Sequence, residues 1–197
     1  MRPRSPVRSS RSMALLTALL SSVLPFALQG TAGAAPARTF TLRSSDLPPG
    51  ATFPNPQIYD RAGCRGHNVS PALTWRNPPA GTRSFALLMF DPDAPGGLWW
   101  HWLVFDLPAD TRALPAGAGG PDGSLPAGAI QARNDYGFRG YGGPCPPPGP
   151  AHRYHIELYA LRVQRLGLNK TAPAKAIAAE VRAAALGEAE IIVPYGR

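Results

Sequence analysis

A mostly antiparallel β domain with one helix near its end is predicted by three features of the chain. Short apolar runs bordered by Gly and Pro recur through its middle. One Ala-rich segment near the end has a helical pattern. No internal repeat or coiled-coil heptad competes with that reading. A chain of 197 residues suits one domain.

Residues 1–34 are expected to stand outside that domain. Arg2, Arg4, Arg8 and Arg11 make a basic start, Met13 to Leu28 is mostly apolar, and Ala32-Gly33-Ala34 is a small-residue cleavage site. This is the three-part pattern of a secretory signal peptide, so an exported domain at 35–197 is expected, periplasmic or extracellular. Ser21, Ser22 and Pro25 interrupt the run and argue against a retained span. Four arginines and no acid leave with the peptide, so the formal charge of +8 falls to +4. The remaining arginines are scattered, which gives nucleic-acid binding little support.

Arg38 to Leu42 alternates polar and apolar residues and reads as a first strand, which Leu47-Pro-Pro-Gly50 breaks. Gly63 to Pro71 reads as a loop, Ala72 to Trp75 as a short strand, and Asn77 to Gly81 as a turn. Ser84 to Phe90, Trp102 to Leu107 and Tyr154 to Leu161 are continuous apolar runs of strand length, as expected of strands buried on both faces. Ala113 to Gly128 reads as a Gly/Pro/Ala connector. Ala172 to Leu186 is expected to be helical, with Thr171 as N-cap, Pro173 in the first turn and Gly187 as the stop. Glu190 to Val193 reads as a last short strand.

Chemistry-bearing residues gather at the ends of these strands. In Asp91-Pro-Asp-Ala-Pro95 the prolines restrict the backbone around two carboxylates, either as a plain structural turn or as a site. His101 lies among Trp99, Trp100 and Trp102. A regular strand puts it on one face with Leu103 and Phe105, and it is either a core residue or the base of a tryptophan-walled pocket. A carboxylate such as Asp91 beside it would favour its charged form, a donor to an oxyanion. His152 and Tyr154 share one face, and Arg153 and His155 the other. Gly142-Gly143-Pro144 allows close backbone approach, and glycine amides can cradle an anion.

Asp and His suggest the outer members of a hydrolytic triad, but no Gly-x-Ser-x-Gly is present, and Ser70 is the only nearby nucleophile. His67, His101, His152 and Cys145 show no zinc-ligand spacing on a shared face, so no metal and no cofactor are expected. Two cysteines, Cys64 and Cys145, suggest one disulfide in an exported chain, closing a loop of about 80 residues worth roughly 2–4 kcal/mol. Two free thiols are the alternative.

These motifs, in this order and spacing, resemble the phosphatidylethanolamine-binding protein family in its bacterial Raf kinase inhibitor-like branch. The resemblance rests on Asp91 to Pro95, on Trp100-His101-Trp102, on Gly140 to Tyr154 with Gly-Pro-Cys-Pro-Pro and His-Arg-Tyr, and on Cys64 to Pro71 with Trp75. It runs from about Phe40 to the C-terminus. It implies an antiparallel β-sandwich with a few peripheral helices. It also implies an anion pocket of Asp91, Pro95, His101, Gly143, Pro144, His152 and Tyr154, with Asp93 and Trp100 in support. The ligands implied are phosphate-type anions or phospholipid head groups. Cys145 stands where the animal proteins have proline, consistent with a bridge to Cys64. The animal proteins end in a helix with another pocket tyrosine; this chain ends in a strand-like tail, so Tyr195 is not its equivalent.

The reading is therefore an exported, non-enzymatic binder of small anions. The alternative is an inhibitor of a kinase or protease acting through the 113–128 connector. A hydrolase using Asp91, His101 and Ser70 is a third. An exposed edge at Trp99 would equally mark a homodimer interface.

Overall fold

The computed structural model describes residues 38–197, so the expected signal peptide lies outside the described residues. Two antiparallel sheets carry the fold. The first orders β1 (Thr41–Arg43), β2 (Leu73–Arg76) and β5 (Ala113–Leu114) as β1-β2-β5. The second comprises β3 (Ser84–Asp91), β4 (Trp99–Pro108), β6 (Ile130–Gln131), β7 (His152–Leu161) and β8 (Ala185–Tyr195), in the order β6-β4-β3-β7-β8. One helix, α1 (Ala174–Ala184), packs on the larger sheet.

The larger sheet has a core on each face, which explains its unbroken apolar runs. Phe85, Leu87 and Met89 of β3 meet Leu42, Leu73, Trp75 and Leu114 of the smaller sheet. Ala86, Leu88 and Phe90 point the other way, toward Ile177, Ala178 and Val181 of α1. All eight residues of β3 are buried. A strand covered on both sides has no use for alternation, although this sheet is antiparallel.

Four expectations are corrected. Helix α1 starts at Ala174 with Pro173 at the N-cap position and no side-chain cap, so Thr171 is not its N-cap; the Thr171 hydroxyl instead donates to Asn169 Oδ1. The helix stops at Ala184, and β8 begins at once and runs eleven residues, against the four predicted. Pairing with the whole length of β7 overrides the helix propensity of the alanine run. Gly187 pairs with Ala160 inside β8, where a Cβ would come within 2.7 Å of Pro79 Cγ; it permits close packing and caps nothing.

The fourth correction bears on function. His101 does not share a face with Leu103 and Phe105. Met89 pairs with Trp102 but Phe90 pairs with Trp100, so β4 carries one extra residue, His101, at a β-bulge. Leu103 and Phe105 face the helix, whereas His101 faces Tyr154 on the opposite side. The bulge turns the imidazole into the pocket.

Candidate functional site

The pocket opens at one end of the large sheet, where β3 ends and β4 and β7 begin. It is a cavity of about 320 Å³. Asp91, His101, His152 and Tyr154 line it, with Pro95 and Ala94 from the turn after β3. Trp99, Tyr136, Cys145, Pro146 and Pro147 complete the wall.

The rim is built by carboxylates. Asp91 Oδ1 accepts the Asp93 amide at 2.8 Å, closing the turn that the prolines stiffen. Its Oδ2 lies 2.7 Å from His152 Nδ1. Of the two histidines open to Asp91, His152 takes the carboxylate and His101 does not, which leaves His152 Nε2 to the cavity. Asp93 supports the turn from outside. It accepts from the Arg153 backbone at 2.9 Å and from the guanidinium at 2.7 and 2.9 Å. These bonds hold its carboxyl well below the usual range.

The deep wall is built by backbone. His101 is 2 % exposed. Its Nδ1 lies 2.6 Å from the Gly142 carbonyl, while its own carbonyl accepts the Gly142 amide at 2.9 Å. A carbonyl only accepts, so Nδ1 carries the hydrogen and Nε2 of the neutral ring is a bare acceptor. Burial pulls the imidazole down to about 4, against smaller opposing effects of the Gly142 carbonyl and the Asp91 charge. His101 is therefore neutral at pH 7, not the charged donor expected from its neighbours. The Tyr154 and Tyr136 phenols are pushed up, chiefly by burial, and stay protonated.

Gly143 and Pro144 hold the wall from behind. Both glycine amides are consumed internally: that of Gly142 by His101 O, and that of Gly143 by Asn68 Oδ1 at 2.7 Å. They cradle no anion. The close approach that Gly143 allows is to the protein's own backbone, since a Cβ there would lie 2.2 Å from Gln57 O. The Pro144 carbonyl accepts from Tyr59 N–H, and Tyr136 OH donates to the Gly143 carbonyl at 2.9 Å. The cavity face of this loop is supplied by Cys145, Pro146 and Pro147 instead. Cys145 is bonded to Cys64, so the expected disulfide forms part of the pocket wall.

Trp100 is buried on the helix face, edge-on to Phe90, and its amide donates to Asp135 Oδ2 at 2.7 Å. It supports the strand and does not reach the cavity. Trp99 does reach it. Trp99 is only partly exposed and packs edge-on to Tyr136, which gives a dimer edge there little support. Its buried indole N–H has no partner among the described residues.

Ser70 stays away from this site: it is fully buried, and its hydroxyl accepts the Gly119 amide. The 113–128 connector is not a free loop. Leu114 and Ala118 are buried, and Gly119 packs on Trp102 and Tyr141, leaving residues 121–124 as its exposed tip. Tyr195 pairs with His152 across β7 and β8 but does not line the cavity. Sequence reasoning missed Tyr136. Its signal was the Asn134-Asp-Tyr-Gly137 turn, where Asn134 bonds both Gly140 O and the Phe138 amide.

A family model described as phosphatidylethanolamine-binding protein matches residues 43–196. YbcL of Escherichia coli (strain K12) is 38 % identical over 182 residues, covering 91 % of this chain and 97 % of that protein. Its crystal structure, described as a new member of the mammalian family, superposes with a TM-score of 0.78, covering 80 % of this chain and 98 % of the other. A Chlamydia trachomatis homologue, CT736, gives a TM-score of 0.68 at 28 % identity, covering 80 % and 97 %. LppC of Mycobacterium tuberculosis, named as a lipoprotein, is 39 % identical over 148 residues, covering 72 % of this chain and 70 % of that protein.

Proposed function

The chain belongs to the phosphatidylethanolamine-binding protein family, and from that premise we propose that it is an exported, non-enzymatic binding protein whose pocket takes a small phosphate-type anion, free or as a phospholipid head group. The observation that carries the proposal is the Asp91–His152 pair on the rim, set opposite a neutral, buried His101.

A lone buried carboxylate would repel an anion strongly. Here both Asp91 oxygens are engaged, one by His152 and one by the Asp93 amide. The unpartnered Trp99 N–H supplies a donor for a ligand oxygen. His152 Nδ1 carries the hydrogen that Asp91 accepts, so its Nε2 donates to a ligand oxygen only from the doubly protonated ring. His101 Nε2 needs a hydrogen from the ligand. A singly protonated phosphate or phosphomonoester provides one: its P–OH donates to His101 while its remaining oxygens accept. In a phospholipid diester, which has no P–OH, the ammonium N–H of an ethanolamine head group is the donor. A phosphomonoester loses that proton near pH 6. Affinity therefore falls as pH rises, because the ligand loses its donor, not because His101 loses a charge. Export is supported by the pattern of residues 1–34, by the disulfide and by the lipoprotein name of LppC.

The test is calorimetric titration with phosphate and phosphoethanolamine, beside His152→Ala. Expected are binding that the variant weakens at least tenfold and, for phosphoethanolamine, a loss of about tenfold between pH 5.5 and 7.5, whereas inorganic phosphate, which keeps a P–OH over that range, should lose less. Flat affinity across that range would overturn the donor argument. No binding of either ligand would overturn the reading itself.

A further inference from the structure

The sheet face turned away from the pocket carries a second cluster. His155 and Glu157 alternate with Tyr154 and Ile156 along β7 and so project to the opposite side. Glu190 of β8 is directly opposite Glu157 in the ladder. One ligand atom from each of His155, Glu157 and Glu190 lies within 4.8 Å of the others. We propose that these three side chains bind a zinc ion, with a fourth coordination position open.

Several features distinguish this from a surface group of acids. One member is an imidazole, held in place by stacking on Phe90 at 5.1 Å with 10° between the rings. Its Nδ1 already lies 2.5 Å from Glu190 Oε1. Glu157 is 8 % exposed, and its hydrogen bonds fall on one oxygen only. Tyr159 OH donates to Oε2 at 2.6 Å and Arg182 at 3.3 Å. Among the described residues, no hydrogen bond reaches Oε1. Outer contacts that fix one carboxylate oxygen and leave the other available are what a metal ligand requires.

The ladder points the same way. Glu157 faces Glu190, and the next pair toward the helix is Tyr159 with Glu188. Like charges directly opposite destabilise a sheet, and the guanidinium that reaches Glu157, that of Arg182, sits on Oε2. A shared cation turns that repulsion into binding. Nitrogen plus carboxylate ligands suit zinc, whereas calcium takes six to eight oxygens. Zinc–ligand distances of about 2.1 Å place tetrahedral ligand atoms about 3.4 Å apart. A pair at the 4.8 Å limit closes by about 1.4 Å, whereas His155 Nδ1 and Glu190 Oε1, at 2.5 Å, open by about 0.9 Å.

Zinc sulfate is titrated into the full chain by calorimetry, and cobalt(II) is added separately to read its visible d–d band. Expected are one equivalent of zinc and a four-coordinate cobalt spectrum. Both should weaken at least tenfold in Glu190→Gln, an exposed position that leaves the core intact, and in His155→Gln, but not in His152→Ala. Absence of zinc binding overturns the proposal. So does binding that survives Glu190→Gln, or binding that only His152→Ala removes, which would place the metal in the pocket. Because the phosphate titration uses other residues, either reading can fail alone.

Discussion

The deep wall and the rim of the pocket are built by different forces. At the wall, His101, Gly142, Gly143 and Tyr141 are buried and joined through backbone groups: Gly142 bonds His101 twice, and Asn68 bonds both the Tyr141 carbonyl and the Gly143 amide. At the rim, Asp93 and Arg153 meet largely in solvent, with side chains 29 % and 62 % exposed. Hydrogen bonds removed from water leave costly orphans when broken, whereas exposed ion pairs contribute little. The wall therefore sets the pocket's shape, and the rim sets its charge.

The widest gap between wall and rim should appear when the disulfide is removed. Cys64 and Cys145 are 81 residues apart, and Cys64→Ser with Cys145→Ser is expected to lower stability by about 4 kcal/mol in chemical denaturation. An unchanged midpoint would mean that the loop holds its place without the tether.

The next effect is on pH dependence. His101 titrates near 4 in the fold against about 6.5 in the unfolded chain. Between those values the unfolded state binds the extra proton, so stability falls as pH drops from about 6.5 to about 4. The loss is about 3 kcal/mol. Denaturation midpoints across that range should flatten in His101→Leu relative to wild type. If both proteins lose stability in parallel, His101 is not the group responsible.

Gly143→Ala should cost about 2 to 3 kcal/mol, because its methyl meets the Gln57 and Tyr59 backbone and forces a shift in the loop. Phosphate affinity should drop with it, since the wall moves. Asp93→Asn should be the mildest change. Its partner is exposed, so the melting temperature should stay near wild type; a drop as large as that of Gly143→Ala would place the rim among the structural elements.

Strands β3, β4 and β7 were legible because their apolar runs are too short for helices and end in Gly or Pro. The site's members were legible as well: Asp91, Pro95, His101, His152 and Tyr154 all line one cavity. Their partnerships were not. Period-two alternation cannot reveal an inserted residue, so the face of His101 was misassigned until the pairing of Met89 with Trp102 exposed the bulge. Gly143 and Pro144 showed where backbone would approach closely, but not that the approaching group would be the 57–59 backbone. The length of β8 was hidden because alanine favours a helix until a strand such as β7 pairs with ten of its eleven residues.

Residue type and spacing by themselves determined that this is a mostly β protein with a helix near its end, two cysteines able to pair and a polar cluster at strand ends. Those properties follow from local patterning and from chemistry each residue carries wherever it sits. Tertiary structure alone decided that Asp91 pairs with His152, that His101 is neutral with Nε2 bare, and that His155, Glu157 and Glu190 meet on the far face. Charge state and coordination depend on what packs within a few ångströms, and the deciding partners lie far apart along the chain: 61 residues for Asp91 and His152, 41 for His101 and Gly142, 35 for His155 and Glu190.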